Sequence, residues 1–152
     1  MQENPQLQPK KDYHEPMHTA EHILNQTMDR MFKCGRAVSA HIERKKSKCD
    51  YLIGEAPTVE QMKAVEDQVN QIIAMNLDVT DELISIEEAH NQFNLERLPD
   101  DAGTTLRIVK IGDYDACPCI GMHVKNTSEI GHFLINNFDF NEGKLRIRYK
   151  LQ

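Results

Sequence analysis

The chain has 152 residues, 39% of them hydrophobic and 28% charged, a length that fits one domain with a core able to fold without staples. Its 18 Lys and Arg face 24 Asp and Glu, for a net charge of −6. This balance argues against a general nucleic-acid coat, because sequence-independent binding depends on neutralising phosphates, but it allows local contact with nucleic acid.

The N-terminal stretch MQENPQLQPKKDY lacks the apolar core of a signal peptide, and no run approaches the roughly 18 apolar residues of a membrane helix. A cytoplasmic location is therefore expected. Residues 1–13 are predicted to be a disordered or loosely attached leader and residues 14–152 a single domain. Without an export signal, the four cysteines are expected to be thiols.

A first helix is predicted over roughly 16–34. Pro16 suits a helix first turn, where its missing N–H costs nothing. Apolar residues then recur with helical period as far as Phe32, and Gly35 ends the pattern.

Two strands and a second helix follow. AVSAHI and KCDYLIGE are predicted strands, separated by a basic turn. Thr58 and Gln61 form a capping pair for the helix. Its apolar positions have helical spacing: Val59, Met62, Val65, Val69, Ile72 and Ile73.

The rest of the chain is predicted to be mainly strands. LDVTDELIS is a candidate strand and EEAHNQF a short helix. TTLRIVKIG, GHFLINNFDF and KLRIRYKL are predicted strands, the last two joined by a hairpin turn at 141–143. This order of elements is typical of an α+β domain with a largely antiparallel sheet.

The stretch HEPMHTAEH spaces three histidines four residues apart. Residues four apart on a helix share a face, so His18 and His22 can bind one ion. His14 is set aside because a proline favours extended backbone before it, and the helix is expected to begin after His14. At about 100° per residue the pair lies nearly opposite the apolar stripe, away from the main core. Two surface histidines are the alternative interpretation.

The pair does not match the metalloprotease motif H-E-x-x-H, in which a glutamate directly follows the first histidine. Thr19 occupies that place, and the acid, Glu21, precedes the second histidine. A zinc protease is therefore not expected.

Further ligands are expected in DYDACPCIGMH. Cys119 and His123 add a thiolate and an imidazole four residues apart, after a proline that favours a loop over a helix. With the helical pair they give one Cys and three His, a set that suits tetrahedral zinc. Cys117 is the competitor, as an alternative ligand or as a packed thiol.

Taken together, HTAEH on the first helix and CIGMH followed by VKNTSEIG resemble the editing domain of alanyl-tRNA synthetases and its free-standing relatives, often called AlaX. The threonyl-tRNA synthetase editing domain has the same two pairs. The resemblance extends from about His18 to Lys150 and fits a short form. It implies a zinc-dependent trans-editing hydrolase that cleaves serine or glycine from mischarged alanine tRNA. The implied metal positions are His18, His22, Cys119 and His123.

The resemblance also implies contacts with the amino acid. Ser39, on the strand after the first helix, matches a hydroxyl that recognises the substrate, although strand serines are often merely half-exposed. Thr19 and Gly121, within the two ligand pairs, are further substrate-binding candidates. Ile120 and Met122 depart from the usual family pattern, which leaves the selected amino acid open.

Glu21 and Glu129 are the nearest acids in sequence that could act as base or amine anchor, or else be solvated or capping carboxylates. Three protein ligands with an open position would give a catalytic zinc, whereas four would fill the tetrahedron around a structural or substrate-orienting ion. Both roles stay open, as does the choice between His123 and Cys117 as the last ligand.

Two basic clusters are candidates for binding the tRNA acceptor end. The first alternates with apolar residues and so occupies one strand face: Lys144, Arg146, Arg148 and Lys150. The second surrounds a turn: Arg44, Lys45, Lys46 and Lys48. Solvated charges are the alternative for both.

Two other functions compatible with these residues are a non-catalytic zinc-stabilised module that binds tRNA or a synthetase, and the same hydrolase acting on serine-charged threonine tRNA. The oligomeric state is left open.

Overall fold

The computed structural model describes residues 14–92 and 105–152, so the predicted leader lies outside the described residues. Over these ranges the chain forms helices and two antiparallel sheets, which confirms the predicted α+β class. None of the described helices has the length and apolar character needed to cross a membrane. The elements in chain order are α1 (Glu15–Phe32), β1 (Ser39–His41), β2 (Ser47–Leu52), α2 (Val59–Ala74), β3 (Val79–Ser85), α3 (Ile86–Gln92), β4 (Thr105–Ile111), β5 (Asp115–Pro118), a 3-10 turn (Thr127–Glu129), β6 (Phe133–Asn141) and β7 (Lys144–Leu151).

Helices α1 and α2 begin where local sequence signals place them. Helix α1 starts at Glu15, one residue before the predicted Pro16, and His14 is its extended N-cap residue. Thr58 and Gln61 form the predicted capping box of α2, in which each side chain bonds the other residue's backbone N–H.

The first sheet has the strand order β1-β2-β7-β6, and its pairs are all antiparallel. Strands β2 and β7 alternate residues between two faces, and α1 and α2 contribute to the core on one of them. The buried core includes the large side chains Met17, Ile23, Leu24, Met28, Tyr51, Val65, Phe133, Leu145, Ile147 and Tyr149.

The second sheet has the order β3-β4-β5, and α3 packs on it through Ala89 against Leu106 and Ile108. Strand β5 is not among the predicted strands, because four residues ending in a proline give too short a period-two pattern. It pairs with β4 and also contacts α1. The chain that follows β5 is thereby brought onto α1.

Candidate metal centre

Four potential ligands converge between α1 and the loop after β5: His18, His22, Cys119 and His123. One donor atom of each lies within 4.8 Å of all the others. Cys119 Sγ is 3.7 Å from His18 Nε2 and 3.5 Å from His123 Nε2. The fold therefore brings the helical pair of histidines next to the Cys119–His123 pair, although His18 and Cys119 are 101 residues apart in the sequence.

His18 and His123 are each held through Nδ1. His18 Nδ1 lies 3.1 Å from the Met122 carbonyl oxygen, which can only accept a hydrogen bond. His123 Nδ1 lies 3.0 Å from Thr19 Oγ1, and the Thr19 hydroxyl donates its own proton to the Glu15 carbonyl. With an ion bound, Nδ1 would carry the hydrogen in both rings and Nε2 would be the ligand atom.

A buried thiol and a buried carboxylate hold His22. Its Nδ1 lies 3.1 Å from Cys117 Sγ and 3.6 Å from Asp115 Oδ2. Burial lowers the pKa of His22, but Cys117 and Asp115 outweigh burial and raise this pKa well above its usual range. The contacts at Nδ1 leave Nε2 for an ion, whose binding would displace a proton from the ring.

His22, Asp115 and Cys117 also lie within 4.8 Å of one another. We interpret this trio as support for His22 rather than as a second ion site, because Arg36 brings a positive charge into the same space. Its guanidinium donates to Asp115 at 2.8 and 3.2 Å, and Gln26 adds a bond at 3.0 Å. Burial raises the pKa of Asp115, but His22 and Arg36 lower it to about 2.

The protonation states of Cys119 and His123 suit the binding of zinc. Burial raises the pKa of Cys119, but hydrogen bonds from the neighbouring histidines outweigh it and bring this pKa to about 3. Burial and the charges of His22 and His18 lower the pKa of His123 to about 4. A thiolate and neutral imidazole are the forms that bind metal, and one Cys with three His is a donor set that zinc accepts.

The two helical histidines are less exposed than their position on the helix suggests. His22 is only 4% exposed, because β5 covers this face of α1 and buries it outside the main core. His18 is partly buried. The interpretation of the pair as surface histidines therefore does not hold.

Glu21 lies beside the cluster, with Oε1 3.8 Å from His18 Nε2. Asn25 donates to Glu21 Oε2 at 3.0 Å and accepts a 2.6 Å bond from the buried Tyr51 hydroxyl. Protein hydrogen bonds thus hold this carboxylate at the edge of the site, where it can accept a proton or bind an amine.

Other candidate residues make hydrogen bonds within the protein. Glu129 is exposed and accepts two backbone N–H bonds of 2.9 Å, which cap the 3-10 turn. Ser39 donates to Asp50 at 3.0 Å. Thr19 is fully buried and holds His123. Catalytic or substrate contacts by these residues remain predictions.

Gly121, the last of these candidates, lies against the His18 ring. A Cβ at Gly121 would collide with His18 Cε1 and lie 2.9 Å from Nδ1. The loop and the helix therefore approach each other as closely as a glycine allows.

The basic residues of β7 alternate with buried apolar residues, as predicted, and so share the other sheet face. Arg146 forms a 2.8 Å ion pair with Asp50, and Arg148 forms a 2.7 Å pair with Asp139. Acidic neighbours thus neutralise part of this predicted phosphate-binding surface.

The basic loop between β1 and β2 lies close to the start of α1. Arg44, Lys45 and Lys46 are exposed there. Burial and the charge of Arg44 lower the pKa of His14, and the His14 carbonyl accepts the first helical hydrogen bond from the His18 N–H. The charge of Arg44 therefore acts on the residue one helical turn before His18.

Among the supporting residues, Arg36, Asn25 and Arg107 carry no signal in the sequence, and Asp115 carries only one. Asp115 and Arg36 are 79 residues apart and meet only through the contact between β5 and α1. A carboxylate four residues before Cys119 was the one local clue, since ligating histidines commonly donate to such a group.

The fold and the Cys–His cluster define an α+β domain with a candidate zinc centre. Residues 106–148 match the family model of the threonyl and alanyl tRNA synthetase second additional domain. The chain belongs to the alanyl-tRNA synthetase editing-domain family, as its motifs predict.

Similar proteins include three alanine–tRNA ligases. That of Fervidobacterium nodosum is 31% identical over 119 residues, that of Ligilactobacillus salivarius 34% over 119 residues, and that of Coxiella burnetii 33% over 121 residues. Each alignment covers 78% of this chain but 14% of the ligase. The chain thus corresponds to a small part of these ligases.

Proposed function

We propose that this protein is a zinc-dependent hydrolase that acts in trans on mischarged tRNA and cleaves the ester of serine or glycine on alanine tRNA. The observation that carries the proposal is the convergence of His18, His22, Cys119 and His123 in a chain of this family. A role in translation fidelity would place it in the cytoplasm.

The four ligand residues would hold the ion through three Nε2 atoms and one thiolate. When bound with one of the four positions yielded to water or substrate, zinc would supply Lewis-acid chemistry to an ester carbonyl or lower the pKa of the water molecule. Thr19 and Asp115 contribute by fixing the orientation of His123 and His22. The site therefore needs little rearrangement to accept an ion.

Glu21 is the residue proposed to move a proton or to bind the substrate's amine. Its Oε1 lies at the cluster, and Asn25 holds its other oxygen. An aminoacyl ester is already activated, so a positioned carboxylate acting as general base on water suits this reaction.

The tRNA acceptor end would approach from the basic loop at Arg44, Lys45 and Lys46. These cations are exposed near the start of α1, whereas Arg146 and Arg148 are paired with carboxylates. Few phosphate contacts suffice for a protein of net charge −6 that holds only one end of the tRNA. Lys150 would extend this surface, because it follows Tyr149, which pairs with Ser47 at the end of the loop.

The test is deacylation of a panel of charged tRNAs by the purified zinc-loaded protein. We expect turnover of serine- or glycine-charged alanine tRNA, loss of turnover in His18→Ala/Cys119→Ala, and a drop of about 100-fold in Glu21→Gln if the carboxylate is a general base. Glu55→Gln, at an exposed position outside the cluster and the basic loop, is the matched control.

Two outcomes separate the alternatives. If wild type shows no turnover above background but its zinc form binds tRNA, the protein is a binding module and the hydrolase proposal is wrong. If it deacylates only serine-charged threonine tRNA, the reaction stands and the proposed substrate changes.

A further inference from the structure

Arg107, on β4, binds the main chain of the loop that carries two of the ligands. Its Nη1 donates to the carbonyl oxygens of Cys119 at 3.1 Å and Gly121 at 2.6 Å. The Cys119 N–H in turn donates to the Arg107 carbonyl at 3.1 Å. One arginine thus contacts the loop at three backbone groups, beginning at the ligand itself.

The loop is not part of a helix or a sheet. Residues 119–124, within the described part of the chain, form neither helix nor strand. A planar guanidinium that binds two carbonyls two residues apart fixes the turn between them. Asp81 holds the guanidinium in place, since Arg107 Nε donates to Asp81 Oδ2 at 2.7 Å.

The fixed turn determines where the ligand atoms lie. The Gly121 N–H donates to Cys119 Sγ at 3.4 Å, so the turn orients the sulfur. The next carbonyl, of Met122, accepts from His18 Nδ1 and orients that ring. Moving the turn would therefore displace both Cys119 and His18.

We propose that Arg107 is a positioning residue for the metal centre: its guanidinium locks the turn over 119–121 and thereby orients Cys119 and His18 for the ion. This inference rests on the metal site of the proposed function and is independent of the substrate.

A second cation on β4 provides a matched control for Arg107. Lys110 also pairs with an acid of β3, Glu82, at 2.8 Å. Both cations therefore join β3 to β4, but Arg107 also binds the loop carbonyls. Lys110→Ala removes a cross-strand ion pair alone, and Asp81→Asn removes the charged partner of Arg107 but keeps its guanidinium.

The experiment measures zinc affinity by chelator competition, and the cobalt-substituted absorption spectrum, for the full chain. We expect Arg107→Ala to weaken zinc binding at least about 10-fold, the usual loss when a group that orients ligands is removed. The thiolate-to-cobalt absorption band should change as well. Arg107→Lys, which can reach one carbonyl at a time, should be intermediate. Lys110→Ala should stay within about three-fold of wild type, and so should Asp81→Asn, because the amide oxygen can still accept the bond from Arg107 Nε.

A second readout uses the metal-free protein. Alkylation of Cys119 by iodoacetamide, followed by peptide mass spectrometry, reports how often the turn opens. We expect faster alkylation in Arg107→Ala than in Lys110→Ala. If Arg107→Ala does not fold, Arg107→Lys replaces it in both measurements.

Zinc affinity in Arg107→Ala equal to that in Lys110→Ala would overturn the proposal, whatever the alkylation rates. If wild type binds no zinc, equal alkylation rates would overturn it and faster alkylation would support the locked turn. A failure of deacylation in every protein would contradict the proposed function alone, because neither readout uses tRNA.

Discussion

Gly121 is where the ligand loop and α1 come closest. An added Cβ would meet three atoms of the His18 imidazole. Because His18 is also hydrogen-bonded to the Met122 carbonyl, the ring cannot turn away without losing that bond. Space, rather than a left-handed backbone, therefore requires a glycine here.

Gly121→Ala should accordingly weaken zinc binding. The new methyl group must displace either His18 or the loop, so we expect a loss of about 10-fold or more in affinity by chelator competition. Gly54→Ala is the matched control, because a Cβ there meets nothing within 4 Å. Equal affinity in both variants would show that the site tolerates the displacement.

At the scale of elements, α2 is stabilised from its first residue. The Thr58 side chain accepts the Gln61 N–H at 3.0 Å, and Gln61 accepts the Thr58 N–H at 2.8 Å. Farther along, Asn70 and Glu66 bind backbone groups of Phe133 and Ile135 in the edge strand β6. The helix therefore both forms locally and covers part of a sheet edge.

Thr58→Ala should lower the free energy of unfolding by about 1 kcal/mol, the usual cost of losing an N-cap oxygen. Urea denaturation measures this change. Thr58→Ser keeps the oxygen and should remain near wild type, while zinc affinity stays unchanged in both. A loss of the same size in Thr58→Ser would show that the methyl group, and not the cap, matters.

Strands β2 and β7 are joined by a charge pair that depends on pH. Hydrogen bonding from Arg146, together with Ser39, lowers the pKa of Asp50 below its usual 3.8 despite the opposing effect of burial. Because the folded-state pKa is depressed, the stabilisation is present above 3.8 and lost as pH falls through the folded-state value.

Asp50→Asn should therefore lower the free energy of unfolding at neutral pH. The loss should be smaller at pH values below the folded-state pKa of Asp50. Urea unfolding at both pH values measures the difference. Glu55→Gln, at an exposed position, is the control for loss of a carboxylate. A penalty for Asp50→Asn that does not vary with pH would contradict the assignment of the stabilisation to the charge pair.

Among the elements, helix α2 can be predicted from the sequence and strand β5 cannot. Helix α2 follows from a capping pair and an apolar period, both local, and the i, i+4 pairs of ligands are local as well. Strand β5 has four residues and depends on its pairing with β4. The contacts of Asp115 with Arg36 and His22 exist only after that pairing, so the pairs of candidate ligands could be read from the sequence and these contacts could not.

At the scale of the whole molecule, the candidate centre joins two substructures. His18 and His22 lie on α1, which packs on the first sheet, and Cys119 and His123 follow β5 of the second sheet. Backbone bonds from Val79 to the Lys125 carbonyl and from Thr127 to the Leu77 carbonyl hold the segment before β6 against the start of β3. An ion held by all four ligands would act as a cross-link between these parts.

Zinc should consequently stabilise the folded chain as a whole. A ligand that binds only the folded state adds about 2.7 kcal/mol at 100 times its Kd, so we expect Tm to rise with zinc and to fall when a chelator removes it. His18→Ala/Cys119→Ala should lose this response, whereas Cys34→Ser, which changes a thiol outside the cluster, should keep it. Because binding displaces a proton from His22, the response should also weaken as pH falls. A zinc-dependent Tm that persisted in the double variant would mean that the stabilising ion binds elsewhere.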